Sequence, residues 1–435
     1  MEKANKKYDA YVQILKEELI TAMGCTEPIA LAYAAARCKE LLGKLPEKVI
    51  VKVSGSIIKN VKSVVVPNTG GMKGIRAAVA AGFVAGRPEK KLEVISQVSD
   101  EERAAIQAYT EQADMEICYL DSGRVFDIII EAVAGEDTAK VRIANYHTNI
   151  VLEEHNGEKL LETVVEGDQE EGLTDRSLLN MEDIWDFAMT CEIEDVRAIL
   201  DHQIDCNMAI AKEGLTHPYG ACIGQVMLDA YGDEIRNRAS AMAAAGSDAR
   251  MSGCELPVVI NSGSGNQGIT CSVPVIEYAK ELCSGDEKMY RALTLSNLVA
   301  IHQKTGIGRL SAFCGAVCAG VAAGAGIAYL RGGGFKEIAH TVVNGLAIVS
   351  GIVCDGAKPS CAAKIAASVN AGILGYEMYV RGQQFYGGDG LVTKGADNTI
   401  RNIGRLGKEG MAGTNDEIIK RSEERRVGKE CPTEC

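Results

Sequence analysis

Three thiols offer the most specific chemistry in this sequence. Cys314, Cys354 and Cys361 are separated by 39 and then 6 residues. Cys314 opens an Ala/Gly-rich stretch, while Cys354 and Cys361 bracket the loop 355–360, so a helix-end thiol and a loop pair can converge on one metal. Three soft thiolates lacking a fourth protein ligand suit an iron–sulfur cluster with one exposed iron. Zinc is less favoured, because the six histidines are scattered without ligand spacing. No compact Cys-x-x-Cys pair sharpens the assignment, and Cys318, one turn beyond Cys314, is a rival ligand.

A fourth thiol has a different setting. Cys25 lies in Gly24-Cys25-Thr26-Glu27-Pro28. Gly24 permits a break, Thr26 is a good N-cap, and Pro28 belongs in the first turn of a helix. A cysteine at a helix N-terminus has its thiolate stabilised by the dipole and the free N–H groups, which predicts a depressed pKa and a nucleophile or base. The plain alternative is a small buried residue at a helix junction. Two glycine-rich turns, at 67–74 and 261–268, each follow an apolar run and precede a helix. Their exposed N–H groups suit a small anion, or they are simply tight turns; neither has the Rossmann or P-loop pattern.

These residues need a scaffold. Residues 8–43 read as helical with an interruption at Gly24-Cys25. Runs at 49–53, 63–66, 92–96, 117–120, 126–133 and 139–144 read as strands, and 73–85 and 100–112 as helices. This predicts an α+β protein: a mixed α+β domain over 1–165, then a linker over 166–178, richest in Glu, Asp and Gly at 166–176. A largely all-α domain of closely packed Ala/Gly-rich helices follows over 179–420. Its helices are expected at 181–189, 194–212, 233–251, 291–303, 310–330, 335–350 and 362–374. The uncharged run 311–330 has the length of a membrane span but too little Leu, Ile or Phe, and reads as a buried helix. Residues 421–435 are charged, aperiodic and similar to the translation of a common sequencing-adapter oligonucleotide. That tail is read as non-native, so Cys431 and Cys435 are excluded from any site.

Composition narrows the class. Of the 435 residues 46% are hydrophobic and 24% charged, an ordinary globular balance. A net charge of −13 argues against nucleic acid or anionic lipid as partner. The N-terminus carries no signal-peptide pattern, which predicts a cytoplasmic protein whose 15 cysteines stay reduced.

Taken together, the Gly24–Pro28 run, the Asn68-Thr69-Gly70-Gly71-Met72 loop, the Ser264-Gly265-Asn266-Gln267-Gly268 turn and the cysteine spacing resemble the L-cysteine desulfidase family. That family is related to iron–sulfur L-serine dehydratases, chiefly through the helical domain. The resemblance covers about residues 8–420. It implies an oxygen-sensitive [4Fe-4S] cluster on Cys314, Cys354 and Cys361, Cys25 as the catalytic thiol, and no pyridoxal phosphate. The Ser-His-Thr-x-Gly-Pro motif of serine dehydratases is absent, with only His147-Thr148 as an echo. The implied reaction is β-elimination of L-cysteine to pyruvate, ammonia and hydrosulfide. Cys25 would remove the α-proton and the exposed iron would act as Lewis acid. Asn60, Asn68, Thr69, Gly70, Asn261, Ser262 and Asn266 would orient the substrate. A small amino acid is the only ligand implied, and a second copy of the chain in a homodimer the only macromolecular partner. An iron–sulfur serine dehydratase, a pyridoxal-phosphate lyase and a non-catalytic amino-acid sensor are the rival readings.

Overall fold

β-branched runs in the first third of the chain assemble a single large sheet. The computed structural model describes residues 1, 3, 5–165 and 173–427, with backbone only at 419 and 422–427. Helix α1 (Lys6–Glu18) leads through β1 (Thr21–Met23) to α2 (Thr26–Leu42). Then come β2 (Lys48–Val53), α3 (Gly55–Val61), α4 (Gly74–Ala85), α5 (Asp100–Gln112), β3 (Asp114–Tyr119), β4 (Asp127–Ala134), β5 (Asp137–Ala144), β6 (Ile150–His155) and β7 (Glu158–Glu162). The six strands lie in the order β3-β2-β4-β5-β6-β7, with only β2 and β3 parallel. Alternation along β2 and β4 buries Val49, Val51 and Val53 beside Ile128, Ile130 and Ala132. Helix α2 packs across β4 and β5, with α4 against it. Ser99 and Glu102 start α5 with a reciprocal capping box.

Two expected strands are absent. Of residues 63–66 only Val65 makes a bridge, to Lys73. Residues 92–96 overlap the end of a 3-10 turn, Pro88–Glu93, and bury Leu92, Val94 and Ile95 without a ladder. Apolar residues there fill the core, and burial alone does not separate a buried turn from a strand. Conversely, β6 and β7 form a hairpin across Asn156-Gly157, both at positive φ. Asn-Gly is the residue pair that a tight hairpin turn demands.

The remainder is helical, and the whole is α+β. In order come α6 (Met181–Thr190), α7 (Glu194–Thr216), α8 (Ile223–Tyr231), α9 (Ile235–Met251), β8 (Pro257–Val259), α10 (Gly265–Glu281) and α11 (Asp286–Ile307). They are followed by α12 (Gly315–Leu330), α13 (Phe335–Val349), α14 (Ser360–Val380), α15 (Ala396–Arg405) and α16 (Ala412–Val427). Small residues let these helices touch: a Cβ on Gly324 of α12 would stand 2.7 Å from Gly372 Cα of α14. The run 310–330 is not helical throughout. It enters the helix only after Cys314, the extended N-cap of α12, and Phe313 bridges Val353. Among the described residues no helix is long and apolar enough to cross a membrane.

Antiparallel pairing of β1 with β8 ties the first third of the chain to the helices. Of the predicted linker, 166–172 lie outside the described residues; beyond them Thr174 and Arg176 bind Glu17. Of the predicted tail, 428–435 lie outside the described residues, and the backbone of α16 continues to Val427.

Candidate active site

Gly24, at φ +58°, turns the chain out of β1, and Cys25 takes the N-cap position of α2 in place of Thr26. Thr26 is left free to donate its hydroxyl to the Gly263 carbonyl at 2.9 Å, joining the two glycine-bearing segments. The next residue, Glu27, turns its buried carboxylate back. Cys25 Sγ donates to Glu27 Oε2 at 3.0 Å, and Asn60 Nδ2 on α3 donates to Oε1 at 2.9 Å.

This contact reverses the expected electrostatics of Cys25. Burial first, then the Glu27 carboxylate, push the thiol well above its ordinary range, with Arg250 pulling the other way. The predicted depression is therefore overturned: the helix-end effect is worth up to ~2 kcal/mol, less than full burial beside a carboxylate costs a thiolate. For Glu27 burial opposes ionisation, but His147 when protonated, the Cys25 hydrogen bond and Arg250 outweigh it and hold the carboxyl below its usual range. The resting pair is a thiol and a carboxylate.

Backbone pairing sets the other thiols in place. Cys314 N–H donates to Ile352 O at 3.1 Å and Cys354 N–H to Ala312 O at 2.7 Å, so the extended segment before α12 lies beside the loop before α14. Cys314 and Cys354 share a hydrogen bond through their sulfurs. That bond, with the Lys59 and Lys304 ammonium groups, holds the Cys354 thiol well below its ordinary range although burial opposes it. Cys361, at the start of α14, packs with Cys25 and Met251.

All four thiols line one cavity of about 100 Å³, together with Glu27, Asn60, Arg250, Asn266 and Gln267. A second cavity, of about 1100 Å³, adjoins it and shares Lys304, Arg309, Leu310 and Ser311 with its lining. Three buried polar atoms of residues lining the smaller cavity have no hydrogen-bond partner among the described residues: Asn60 Oδ1, Arg250 Nε and Gln267 Oε1. Buried polar groups are normally satisfied, so these three point to a ligand.

Other predicted residues are placed differently. Asn266 lines the cavity and accepts from Arg250 at 3.1 Å. Ser262 faces the larger cavity. Asn261 does not line either cavity; it donates to Asn297 Oδ1 at 3.0 Å and holds its turn from behind. Asn68 ties its loop to a distant segment by donating to Ile95 O, Thr69 closes the loop on itself by donating to Val66 O, and Gly70 is exposed. Cys318, the rival ligand, is fully buried one turn inside α12 and does not line the smaller cavity. Residues without an assigned role in the sequence reading also converge here, above all Glu27, Arg250, Gln267 and Lys304. His147 joins them: a Cβ on Gly263, at φ +79°, would stand 3.1 Å from its ring. Glu27 was visible inside the recognised motif.

Among the described residues no three His, Cys, Asp or Glu side chains stand ready to hold a single metal ion. The donor set nevertheless fits a cluster. It offers three thiols on one cavity, with Lys304 lining the same cavity and Lys59 donating to the Cys354 carbonyl, cations placed to offset thiolate charge.

Fold and site together bring three cysteines of the helical part and the Cys25–Glu27 thiol–carboxylate pair of the first third to one cavity. Residues 89–420 match the family model described as serine dehydratase alpha chain, and the chain belongs to that family. It is thus an iron–sulfur dehydratase-like enzyme of lyase type. It is 61% identical to a UPF0597 protein of Desulfitobacterium hafniense (strain Y51), over 96% of this chain and 97% of that one. UPF0597 proteins of Lachnoclostridium phytofermentans and Treponema denticola are 49% and 44% identical, each over 95% of this chain and 99% and 97% of their own. Cys314, Cys354 and Cys361 fall within the family match; Cys25, Glu27 and Asn60 precede it.

Proposed function

We propose that this protein is an L-cysteine desulfidase, eliminating hydrosulfide from L-cysteine to leave pyruvate and ammonia. One observation carries the reading: a catalytic-type thiol, three cluster-type thiols and a set of unsatisfied amino-acid-binding groups meet at one cavity. The unsatisfied atoms have the polarity an amino acid needs. Arg250 Nε–H donates to an α-carboxylate, while Asn60 Oδ1 and Gln267 Oε1 accept from an α-ammonium.

When bound, a [4Fe-4S] cluster on Cys314, Cys354 and Cys361 supplies Lewis acidity toward the departing sulfur. The chain supplies the proton transfers. Cys25 Sγ passes its proton to Glu27 and takes the substrate α-proton; the Cα–H electron pair becomes the Cα=Cβ bond and the Cβ–S pair leaves with hydrosulfide. Thr26, anchored on Gly263, fixes the pair relative to the turn that carries Asn266. The released aminoacrylate tautomerises and hydrolyses without further catalysis.

The family description favours a second reading, dehydration of L-serine at the same site. The two separate on kcat/KM of anaerobically reconstituted protein with each amino acid, followed as pyruvate. The desulfidase reading expects cysteine to be preferred, with hydrosulfide equal to pyruvate. Preference for serine overturns it.

A further inference from the structure

Two buried ammonium groups stand behind the thiols without a matching anion. Lys304, on α11, is 4% exposed and lines both cavities. Its Nζ has neither a hydrogen bond nor an ion pair among the described residues. Lys59, on α3, is 8% exposed and donates to two neutral acceptors, Asn415 Oδ1 at 2.7 Å and Cys354 O at 3.4 Å. The groups acting electrostatically on Lys304 are the thiols of Cys318, Cys354 and Cys314, together with Lys59 itself. Those acting on Lys59 are Cys354, Glu27, Asp355 and Cys314. The nearby carboxylates are already engaged, Glu27 by Cys25 and Asn60, and Asp355 by Lys358 and Lys364.

A buried cation without a counter-ion is costly, and a second one facing the same patch adds repulsion. Burial disfavours the charged form of both lysines, and an anion bound beside them restores it. Three thiolates around a four-iron cluster bring a net negative charge to this patch. We infer that Lys304, seconded by Lys59, is the fixed counter-charge of the cluster: a positioning residue that favours cluster retention and raises its reduction potential. The inference rests on the iron–sulfur reading above. It assigns to Lys304 neither proton transfer nor contact with substrate.

Lys304→Met and Lys304→Arg, beside wild type, test it by melting of the apoprotein, iron and sulfide content after anaerobic reconstitution, and midpoint potential. Methionine removes the charge and keeps a flexible chain of similar length. Apo Lys304→Met should melt no lower than wild type, because the unpaired charge is gone. Its reconstituted cluster should be harder to reduce by about tenfold in the redox equilibrium, ~59 mV for one electron, or be lost outright. Lys304→Arg should restore the wild-type potential, and Lys59→Met should shift it in the same direction as Lys304→Met. A lower apo melting temperature would make Lys304 structural and overturn the inference. Full iron with an unchanged potential would overturn it as well, including where KM for the amino acid rises and reassigns the charge to the substrate carboxylate. If wild type itself takes up no iron, the cluster reading fails first, which separates the two failures.

Discussion

Replacing Glu27 with glutamine should make Cys25 easier to ionise and the enzyme slower, two effects that a purely structural residue would not combine. The carboxylate accepts from Cys25 Sγ at 3.0 Å and Asn60 Nδ2 at 2.9 Å. It is the second-largest cause, after burial, of the raised Cys25 pKa. Glutamine keeps the volume and an acceptor for Asn60 but removes the charge. Hydrogen bonds to charged groups are worth ~1.5–3 kcal/mol each. Relief from burying a carboxylate offsets part of that loss, so the fold should survive. The apparent pKa of Cys25 alkylation should fall in Glu27→Gln, since the negative neighbour is gone, while Arg250 remains. Turnover should drop roughly a hundredfold to ten-thousandfold, the usual cost of losing a general base or its proton acceptor. The assay pairs iodoacetamide labelling across pH with anaerobic pyruvate release at matched iron content. Faster labelling with unimpaired turnover would refute the relay, because a freer thiolate would then suffice. A raised labelling pKa would refute the electrostatic account itself.

Further outcomes follow from the same geometry. Burial pushes His147 down to about 4, so the folded state holds it neutral. Its contribution is complete above the unfolded value near 6.5 and is lost as pH falls from there toward 4, at most about 3 kcal/mol. His147→Phe, which keeps a ring against Phe126, should flatten that limb of the stability–pH curve measured by urea melts; an unchanged slope contradicts it. Cys314→Ala, Cys354→Ala and Cys361→Ala should each abolish iron binding on anaerobic reconstitution, whereas Cys318→Ala should retain it, and the reverse would reassign the ligands. Truncation after Lys420 should leave melting temperature and activity unchanged; a large loss of either would show that 421–435 belong to the native protein.

Much of this site was legible because its signals are local. A glycine before Cys25 and a proline after it mark a helix start, and that start is where the structure puts it. The helix-dipole argument failed at the same residue because it weighed a small term and omitted a larger one, burial beside Glu27. A glycine-rich turn announces spare N–H groups whether or not they face a cavity; at 67–74 Asn68 ties the turn to Ile95 and Thr69 closes it on Val66. Lys304 and Arg250 were hidden for the opposite reason. Each reads as an ordinary polar residue of a helix, and only the packing of α11 and α9 reveals that its charge is buried. The cysteine spacing carried the metal chemistry, but bringing Cys314 beside Cys354 depends on backbone pairing across 39 residues that no local pattern encodes.

In the proposed chemistry Cys25, from the first third of the chain, and Cys314, Cys354 and Cys361 act as one site. Cys25→Ser tests it most directly, because serine nearly matches the size of cysteine but does not ionise near neutral pH. Iron content and hydrosulfide release from L-cysteine should be measured on the anaerobically reconstituted variant beside wild type. The account predicts full iron with hydrosulfide release reduced at least about a hundredfold. Full iron with near-normal release would contradict it.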